Sequence, residues 1–531
     1  MKSKFFRNKF PILLALLALF ISQFSCQTPL ASSGNTLTML AGSELRDLEP
    51  LFGDIRKATG ITLEMQYIGT LEGAEKLMAG ETVDLAWFSH TKYILLLQGA
   101  SGRVLAQEKI MLSPVVLGVK ESLARQWGWA ENGVARPDIT WRDIAQKAAS
   151  GELRYAMTNP TTSNTGFTAL VGAAAALSNT GDALTVADVD AVSGDLREFF
   201  KGQALTSGSS GWLAERYVEE QDRLGGMINY ESVLLSLNQS GDLHEPLTLI
   251  YPQEGIITAD YPIMLVNADK RTEYNKLVEY LRAPEFQQLM MGRTLRRPVI
   301  STVPLSSAFP NNILVELPFP NSQEVVDHLL FTYLDKVSNP THSYFVLDVS
   351  GSMEGERLDS LKESLIVLSG ADQSLTGQFA RFRDREQVTL ITFSSQVQDQ
   401  QTFQINLADP SSLGAVQEFA NSLQADGKTA IYDSLHTAYE QALADQQAEP
   451  DRYYTIVLMS DGQNNTGQSL EDFLDFYHSQ PGAENIKTFA ILFGEADEKE
   501  LTALVEATGG RLFNAKETRL ETIFKQIRGY Q

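Results

Sequence analysis

The sequence is poor in the residues on which most zinc sites and many enzyme sites depend. It has 1 cysteine and 6 histidines in 531 residues, so no intrachain disulfide can form. No pair of His or Cys has the spacing of a zinc site, and no GxxxxGK[ST] motif is present to cradle a nucleotide phosphate. The run SGSSG at 207–211 lacks the GxSxG spacing of a serine nucleophile and predicts a flexible loop. The sequence therefore predicts a protein that is not an enzyme.

Basic residues are scarce relative to acidic ones. The chain has 43 Lys and Arg against 66 Asp and Glu, which gives a formal net charge of -23. Because binding to a phosphate backbone needs clustered cations, this balance excludes nucleic acid as the main partner. Hydrophobic residues make up 43% of the 531 positions, which is ordinary globular composition and enough length for two or three domains.

The N-terminus predicts a targeting segment. An apolar run over residues 10–24 is shorter than the ~20 residues that a membrane-spanning helix needs, and it follows four basic residues, Lys2, Lys4, Arg7 and Lys9. This pattern is typical of a secretory signal.

The single cysteine, Cys26, directly follows that apolar run. This arrangement resembles the bacterial lipoprotein signal, and the resemblance implies a signal over 1–26, lipidation of Cys26 and a polar tether over 27–35. The alternative is ordinary cleavage near Ala31 without a lipid. We expect a protein of the cell envelope, anchored to the membrane by its lipid and facing the periplasm or the exterior.

From residue 36 onwards, short apolar strands alternate with helical stretches, which is typical of an α/β fold. The alternation predicts a first unit over 36–310, in which the apolar segment 104–119 carries the chain across to a second lobe. Five prolines between residues 296 and 320 indicate a linker or surface strap, and we place the linker at 311–339. A second unit over 340–531 follows. Its apolar runs IVLM and FAILF predict parallel strands buried on both faces.

Three segments of the second unit place oxygen-bearing side chains after a strand or before a helix. Asp348, Ser350 and Ser352 close the apolar run YFVLDVSGS, Thr429 precedes a helix, and Asp461 follows the strand YTIVLM. In a doubly wound sheet these positions fall at the carboxyl edge, where ligands bind. Hard divalent cations prefer such oxygen ligands, so the pattern predicts a metal site.

Three other interpretations of this segment are weighed against a metal site. An EF-hand needs Gly and Glu where Met353 and Asp359 stand. A phosphatase with an aspartyl nucleophile would have a second acid where Ser350 stands. The serines could also simply cap the following helix.

The segments DxSxS, DGKTAIYDSL and VLMSDG resemble those of the von Willebrand factor type A domain, over residues 340–530. The resemblance implies a doubly wound, mostly parallel, Rossmann-like sheet with a metal-ion-dependent adhesion site. It implies that Ser350 and Ser352 bind the cation through their hydroxyls, and Thr429, Asp348 and Asp461 directly or through water. The remaining position would go to water or to an acidic side chain of a protein partner. Mg²⁺ is the first expectation for the cation, with Mn²⁺ or Ca²⁺ as alternatives.

The first unit has hydroxyl-rich loops before its helices, at 42–44 and at 158–166. Hydroxyls and backbone N–H groups at helix N-termini form anion sites, although the same residue types are also ordinary helix caps. Together with VDLAWF and INYES, these loops resemble type II periplasmic solute-binding proteins over 37–304. The resemblance implies two α/β lobes joined by a hinge, with a small polar solute or oxyanion in the cleft. The candidate lining residues are Ser43, Ser89, Ser163, Thr165 and Tyr230.

These patterns predict an α/β chain, with a two-lobed domain like a periplasmic binding protein followed by the type A domain. The predicted function is non-enzymatic binding outside the cytoplasm, through a metal-dependent contact with a protein partner and a solute-binding-like module. The alternative is the substrate-capturing component of an ABC-type uptake system.

Overall fold

A computed structural model describes residues 35–97, 101–131, 133–310, 313–516 and 518–531. The predicted signal, Cys26 and nearly all of the tether lie outside these residues. Within the described ranges, no helix combines the length and apolarity needed to cross a bilayer.

The strands are, in chain order, β1 (Thr36–Ala41), β2 (Thr62–Tyr67), β3 (Leu85–Trp87), β4 (Ala106–Lys109), β5 (Met111–Lys120), β6 (Ala130–Glu131), β7 (Val134–Ala135), β8 (Tyr155–Thr158), β9 (Gln203–Ser207), β10 (Gly226–Tyr230), β11 (Leu247–Ile250), β12 (Thr258–Ala259), β13 (Pro262–Leu265), β14 (Arg297–Pro298), β15 (Thr341–Asp348), β16 (Gln387–Phe393), β17 (Val397–Gln404), β18 (Tyr453–Ser460), β19 (Lys487–Leu492) and β20 (Arg511–Asn514).

The α-helices of the first unit span Phe52–Thr59, Thr70–Ala79, Lys92–Leu96, Glu121–Gln126, Trp141–Ala149, Asn164–Ser178, Val186–Phe200, Ser210–Glu220, Glu231–Ser240, Arg271–Leu281 and Pro284–Thr294. The later α-helices span Gln323–Thr332, Glu356–Ile366, Leu375–Ala380, Ser411–Ser422, Ile431–Ala448, Leu470–Ser479, Glu498–Ala507 and Leu520–Ile527.

The first unit has one main sheet in each lobe, and β6 and β7 form a separate short pair. The first sheet has the order β2-β1-β3-β13-β4, and the second has β11-β5-β10-β8-β9, with β12 and β14 also pairing with β5. The chain passes from β4 at the edge of the first sheet to β5 inside the second, which confirms the crossing predicted for 104–119. A cleft between the two lobes follows from this arrangement.

The second unit contains one sheet with the order β17-β16-β15-β18-β19-β20. All its neighbouring strands are parallel except the edge strand β17. The central strand β15 is buried at all of its 8 positions. Phe345 and Leu347 join the core on one face, whereas Tyr344 and Val346 join the core on the other. Helices cover both faces, so the predicted doubly wound, mostly parallel sheet is confirmed.

The predicted linker region contains a helix that belongs to a core. Gln323–Thr332 continues through a wider π-helical turn over Tyr333–Val337, and its apolar side chains join the hydrophobic core of the first unit. The helix packs on Val186–Phe200 of the second lobe. Asn339, two residues before β15, donates its side-chain amide to the carbonyl of Phe200 at 3.3 Å. The chain therefore enters the second unit from a fixed point on the second lobe.

The amino ends of the strands in the third sheet face the second lobe. Lys487, at the start of β19, forms an ion pair with Glu220, and Tyr530 packs edge-on against Trp212 with ring centroids 5.1 Å apart. The carboxyl ends of the same strands therefore lie on the side away from this contact.

A buried ion pair fixes the C-terminal helix of the second unit. Arg528 donates two hydrogen bonds of 2.7 Å to the Glu386 carboxylate, and both side chains are 1% exposed. Burial alone would raise the pKa of Glu386, but the charges of Arg528 and Arg383 outweigh burial and hold that pKa below its ordinary value. Charge pairing thus compensates the desolvation of the carboxylate.

We expect Arg528→Met to destabilise the second unit by about 3–5 kcal/mol, because the Glu386 charge would remain buried without its main partner. Urea denaturation of the full chain, followed by circular dichroism, would measure the loss as an earlier transition. The folded-state pKa of Glu386 is lower than its pKa in the unfolded chain. The ionised carboxylate therefore contributes its full stabilisation to the fold at a pH above the unfolded-state pKa of glutamate. The difference between the variant and the wild type should shrink as the pH falls through the folded-state pKa.

The matched control is Arg519→Met, whose ion pair with Glu521 lies on the surface, with Arg519 85% exposed. Exposed pairs contribute little, so this variant should unfold like the wild type. Equal stability of the Arg528 variant and the control would show that the buried pair does not hold the helix.

Candidate functional site

The first part of the candidate site is the end of the central strand β15. Asp348 is fully buried. Its Oδ1 accepts a hydrogen bond from the Ser350 backbone N–H at 2.8 Å, and its Oδ2 accepts one from the Ser460 hydroxyl at 2.5 Å. Burial raises the pKa of the Asp348 carboxyl, and the nearby Asp461 charge acts in the same direction. The fold thus holds this carboxylate in one orientation at a cost in desolvation.

The hydroxyls of the DxSxS loop lead from Asp348 toward the end of β18. The Ser350 and Ser352 hydroxyls are 3.0 Å apart, and Ser352 donates to Asp461 Oδ1 at 2.7 Å. Asp461, directly after β18, is fully buried, whereas Ser352 is exposed at the mouth of the site. The Ser350 backbone and the hydroxyls of Ser350 and Ser352 therefore connect the two carboxylates, and this connection reaches solvent at Ser352.

Thr429 completes the set from a third loop. Its side chain is buried, and its backbone N–H donates to Asn465 Oδ1 at 2.9 Å. A Cβ placed on Gly462 would lie 3.6 Å from both the Ser352 and the Thr429 hydroxyl oxygens, so these hydroxyls flank the same backbone position. A further backbone hydrogen bond of 3.0 Å, from Gly351 to the carbonyl of Gly427, ties this loop to the first.

The structure thus brings all five sequence-predicted residues together at one sheet edge. Their donor set is two carboxylates and three hydroxyls, which is the chemistry that Mg²⁺ and Mn²⁺ accept. Two buried carboxylates in one cluster also repel each other, and a divalent cation would relieve that repulsion. The residues therefore fit a hard divalent cation.

Two residues of this site were missed by the sequence reasoning. Ser460 orients Asp348 through its hydroxyl, and Arg357 forms an ion pair with Asp461. Ser460 stands beside Asp461 in the quoted segment VLMSDG, and Arg357 lies five residues after Ser352 in the following turn. Their positions next to the two motifs are the sequence feature that could have indicated a role in this site.

The candidate residues of the first unit separate into two groups. Ser43 and Ser163 line an open cavity of about 1150 Å³, bounded by both lobes and by the C-terminal part of the second unit. Ser89, Thr165 and Tyr230 are buried outside the lining of this cavity. The Thr165 hydroxyl is 2.7 Å from that of Thr158, which is a local structural contact.

Glu44 is a lining residue of this cleft that the sequence reasoning did not select as a candidate. It lines the cavity, and its carboxylate accepts a hydrogen bond from the Tyr230 hydroxyl at 3.4 Å. Burial raises the pKa of the Glu44 carboxyl, with the Arg296 charge opposing that effect. Other charged side chains of both signs also line this cavity, among them Arg46, Glu72 and Lys76, so the lining does not favour an anion or a cation by its sign.

Comparison with known families identifies both units. Residues 37–292 match the model of the bacterial extracellular solute-binding protein, and residues 344–526 match that of the von Willebrand factor type A domain. Both resemblances predicted from the sequence, and their order along the chain, are confirmed. Both are families of binding domains, and the first is extracellular by its description.

Individual relatives are distant. Inter-alpha-trypsin inhibitor heavy chain H3 of Homo sapiens is 28% identical over 133 residues, which are 24% of this chain. The match spans only 14% of that relative's own length. Among solved structures, the ferric binding protein from Campylobacter jejuni is 13% identical with a TM-score of 0.44, covering 56% of this chain and 98% of that one. A von Willebrand factor type A protein from Catenulispora acidiphila is 19% identical with a TM-score of 0.30, covering 36% and 43%.

We expect Asp348→Asn to raise the thermal midpoint of the chain in the presence of a chelator, by roughly 2–4 °C. The amide removes a buried charge, still accepts from Ser350 N–H and can donate to the Ser460 hydroxyl. Differential scanning calorimetry would measure the shift. Asp426→Asn, an exposed acid in the neighbouring loop, is the control and should leave the midpoint unchanged. A clear fall in the thermal midpoint of Asp348→Asn would mean that the buried charge of Asp348 does not destabilise the folded state.

Proposed function

Because the chain carries a bacterial extracellular solute-binding domain followed by a von Willebrand factor type A domain, we propose that it is a non-enzymatic binding protein of the cell envelope. Its type A domain engages a protein partner through a metal-ion-dependent adhesion site. Its first domain binds a small ligand or a second partner. The observation that carries the proposal is the meeting of five oxygen-bearing side chains at one edge of the third sheet, namely Asp348, Ser350, Ser352, Thr429 and Asp461.

A divalent cation in this site, Mg²⁺ first and Mn²⁺ or Ca²⁺ as alternatives, would supply a positive centre with a coordination position for a carboxylate oxygen. The residues of the chain would hold it. Asp348 is fixed by Ser460 and by the backbone of Ser350, so its oxygens need little reorganisation. Ser352, the exposed member, lies where an acidic side chain of the partner would approach.

The placement of the site supports recognition of another protein. The carboxyl edge of the sheet lies away from the second lobe, which meets the strands at their amino ends through Lys487 and Tyr530. A partner could therefore reach the metal edge without displacing the solute-binding domain. A lipid on Cys26 would hold the whole chain at the membrane surface, with this edge free for a partner.

We expect the Asp348→Ala variant to lose the cation-dependent binding of the protein partner. The substitution removes one carboxylate ligand, so Mg²⁺ or Mn²⁺ should no longer raise the thermal midpoint of the chain. In a pull-down from envelope extract, wild type with Mg²⁺ should retain a protein that is lost with chelator, and the variant should not retain it.

Asp426→Ala, which removes an exposed acid from the same edge, should behave like the wild type in both measurements. Equal cation stabilisation of Asp348→Ala and the wild type would overturn the proposed metal site.

The open cavity of about 1150 Å³ favours ligand binding by the first domain. Its wall carries the Ser43 and Ser163 hydroxyls together with acidic and basic side chains such as Glu44 and Arg46, which suit a small polar solute. Capture of such a solute for a membrane permease is the alternative function of the chain.

Titration calorimetry of the full chain against a panel of amino acids and oxyanions tests this part of the proposal. We expect heat from at least one compound of the panel, abolished by Ser163→Trp, which would fill part of the cavity. An absence of heat across the panel would count against solute capture and leave the metal site untouched.

A further inference from the structure

Arg357 places a positive charge on a carboxylate of the candidate metal site. It lies in the first turn of the helix Glu356–Ile366, directly after the DxSxS loop. Its guanidinium forms an ion pair with Asp461 Oδ2 and lies 3.4 Å from the Ser352 backbone carbonyl, to which it donates a hydrogen bond. Asp461 is 0% exposed, whereas the Arg357 side chain is 36% exposed. One end of this pair is thus fixed in the core and the other can move into solvent.

The pair uses the oxygen of Asp461 that the hydroxyls leave free. Oδ1 accepts from Ser352 at 2.7 Å, and Oδ2 takes the guanidinium. With both oxygens engaged, Asp461 is satisfied by groups of this chain alone. Each oxygen keeps a second lone pair, but a divalent cation bound at Oδ2 would lie close to the guanidinium and repel it.

Gly494, in the loop after β19, leaves room for the guanidinium beside Asp461. A Cβ at this position would lie 3.2 Å from Arg357 Cζ and 2.8 Å from the Asp461 carbonyl oxygen. The backbone at Gly494 also has a positive φ of 54°, which favours glycine. The N–H of the next residue, Glu495, donates to the Asp461 carbonyl at 2.7 Å, which holds this loop in place. The position of Arg357 is thus enclosed on the side of β19.

We propose that Arg357 is a tethered counter-ion that holds the metal-free site together and competes with the divalent cation for Asp461. The proposal rests on the metal site of the proposed function. When the cation binds, the guanidinium is released toward solvent at the mouth of the site. There it is free to pair with the carboxylate of an acidic partner, beside the oxygen that reaches the cation.

The physical basis is electrostatic exchange at one carboxylate. A guanidinium and a divalent cation within a few ångströms of each other repel, and the repulsion is strong near buried groups. Cation binding therefore includes the free energy of breaking the Arg357–Asp461 pair. Removal of the positive charge should raise the affinity for the cation, whereas damage to the site would lower it. The direction of the change separates competition from a merely structural role.

Isothermal titration calorimetry with Mg²⁺ and Mn²⁺ on the full chain tests the proposal, in wild type, Arg357→Gln, Arg357→Lys and Asp348→Ala. We expect Arg357→Gln to bind the cation roughly tenfold more tightly than the wild type, a change typical of removing one nearby like charge. Arg357→Lys keeps the charge and should stay near the wild type. With chelator, Arg357→Gln should unfold at a lower temperature than the wild type, and its cation-induced gain in thermal midpoint should be larger.

Equal affinity of Arg357→Gln and the wild type, with binding lost in Asp348→Ala, would overturn the competition and leave the metal site standing. Weaker binding in both Arg357 variants would overturn it as well, since Arg357 would then support the site. An absence of binding in the wild type and in every variant would overturn the metal site itself and the role of Arg357 with it. Circular dichroism of each variant confirms that the compared proteins are folded.

Discussion

The arrangement of the second unit depends on two carboxylates that the fold places without solvent at the ends of adjacent strands. Asp348 closes β15 and Asp461 follows β18, and both are 0% exposed. Two like charges so placed are unfavourable unless other groups compensate them. The hydroxyls of Ser460 and Ser352, the backbone N–H of Ser350 and the guanidinium of Arg357 supply that compensation. The loops at the carboxyl edge of the sheet place these donors around the two carboxylates.

The strands that lead to the two carboxylates are held in place by the core of the second unit. The strands β15 and β18, which lead to Asp348 and Asp461, are buried at nearly every position, and each lies between two parallel neighbours. Apolar packing on both faces fixes where the strands end. The carboxylates therefore cannot move apart to reduce their repulsion, and charge compensation has to come from side chains or from a bound ion.

Much of the second unit could be predicted because its signals are local. Each ligand segment lies at the end of an apolar strand or the start of a helix, and parallel strands bring such ends to one edge. The roles of Ser460 and Arg357 could not be derived in the same way. A serine at a strand end can face the core, the site or solvent, and an arginine after a motif is most often a surface residue. Their contacts depend on side-chain directions that the motif does not specify.

The first unit was harder to predict for a related reason. Hydroxyl residues can pair with other groups of the protein as readily as with a ligand, and the Thr165 hydroxyl does so through its contact with the Thr158 hydroxyl. Glu44 occupies a position in the cleft that composition cannot distinguish from a surface acid. The helix Gln323–Thr332 is a further case in which the sequence indicated the element but not its packing. A helix over 324–337 could be predicted from the sequence, with Val326, Leu329 and Leu330 at helical spacing, but the sequence did not indicate that it joins the core of the first unit.

That helix has a consequence for how the two units would respond to a pulling force. Its last turn leads within a few residues into β15, with the Asn339 amide bound to the second lobe. A pull applied at the end of β15 would therefore run down the central strand and into the solute-binding domain without slack to absorb it. The hydrogen bonds of β15 to β16 and β18 would carry this load together. The connection between the two units is thus short and held by packing and hydrogen bonds.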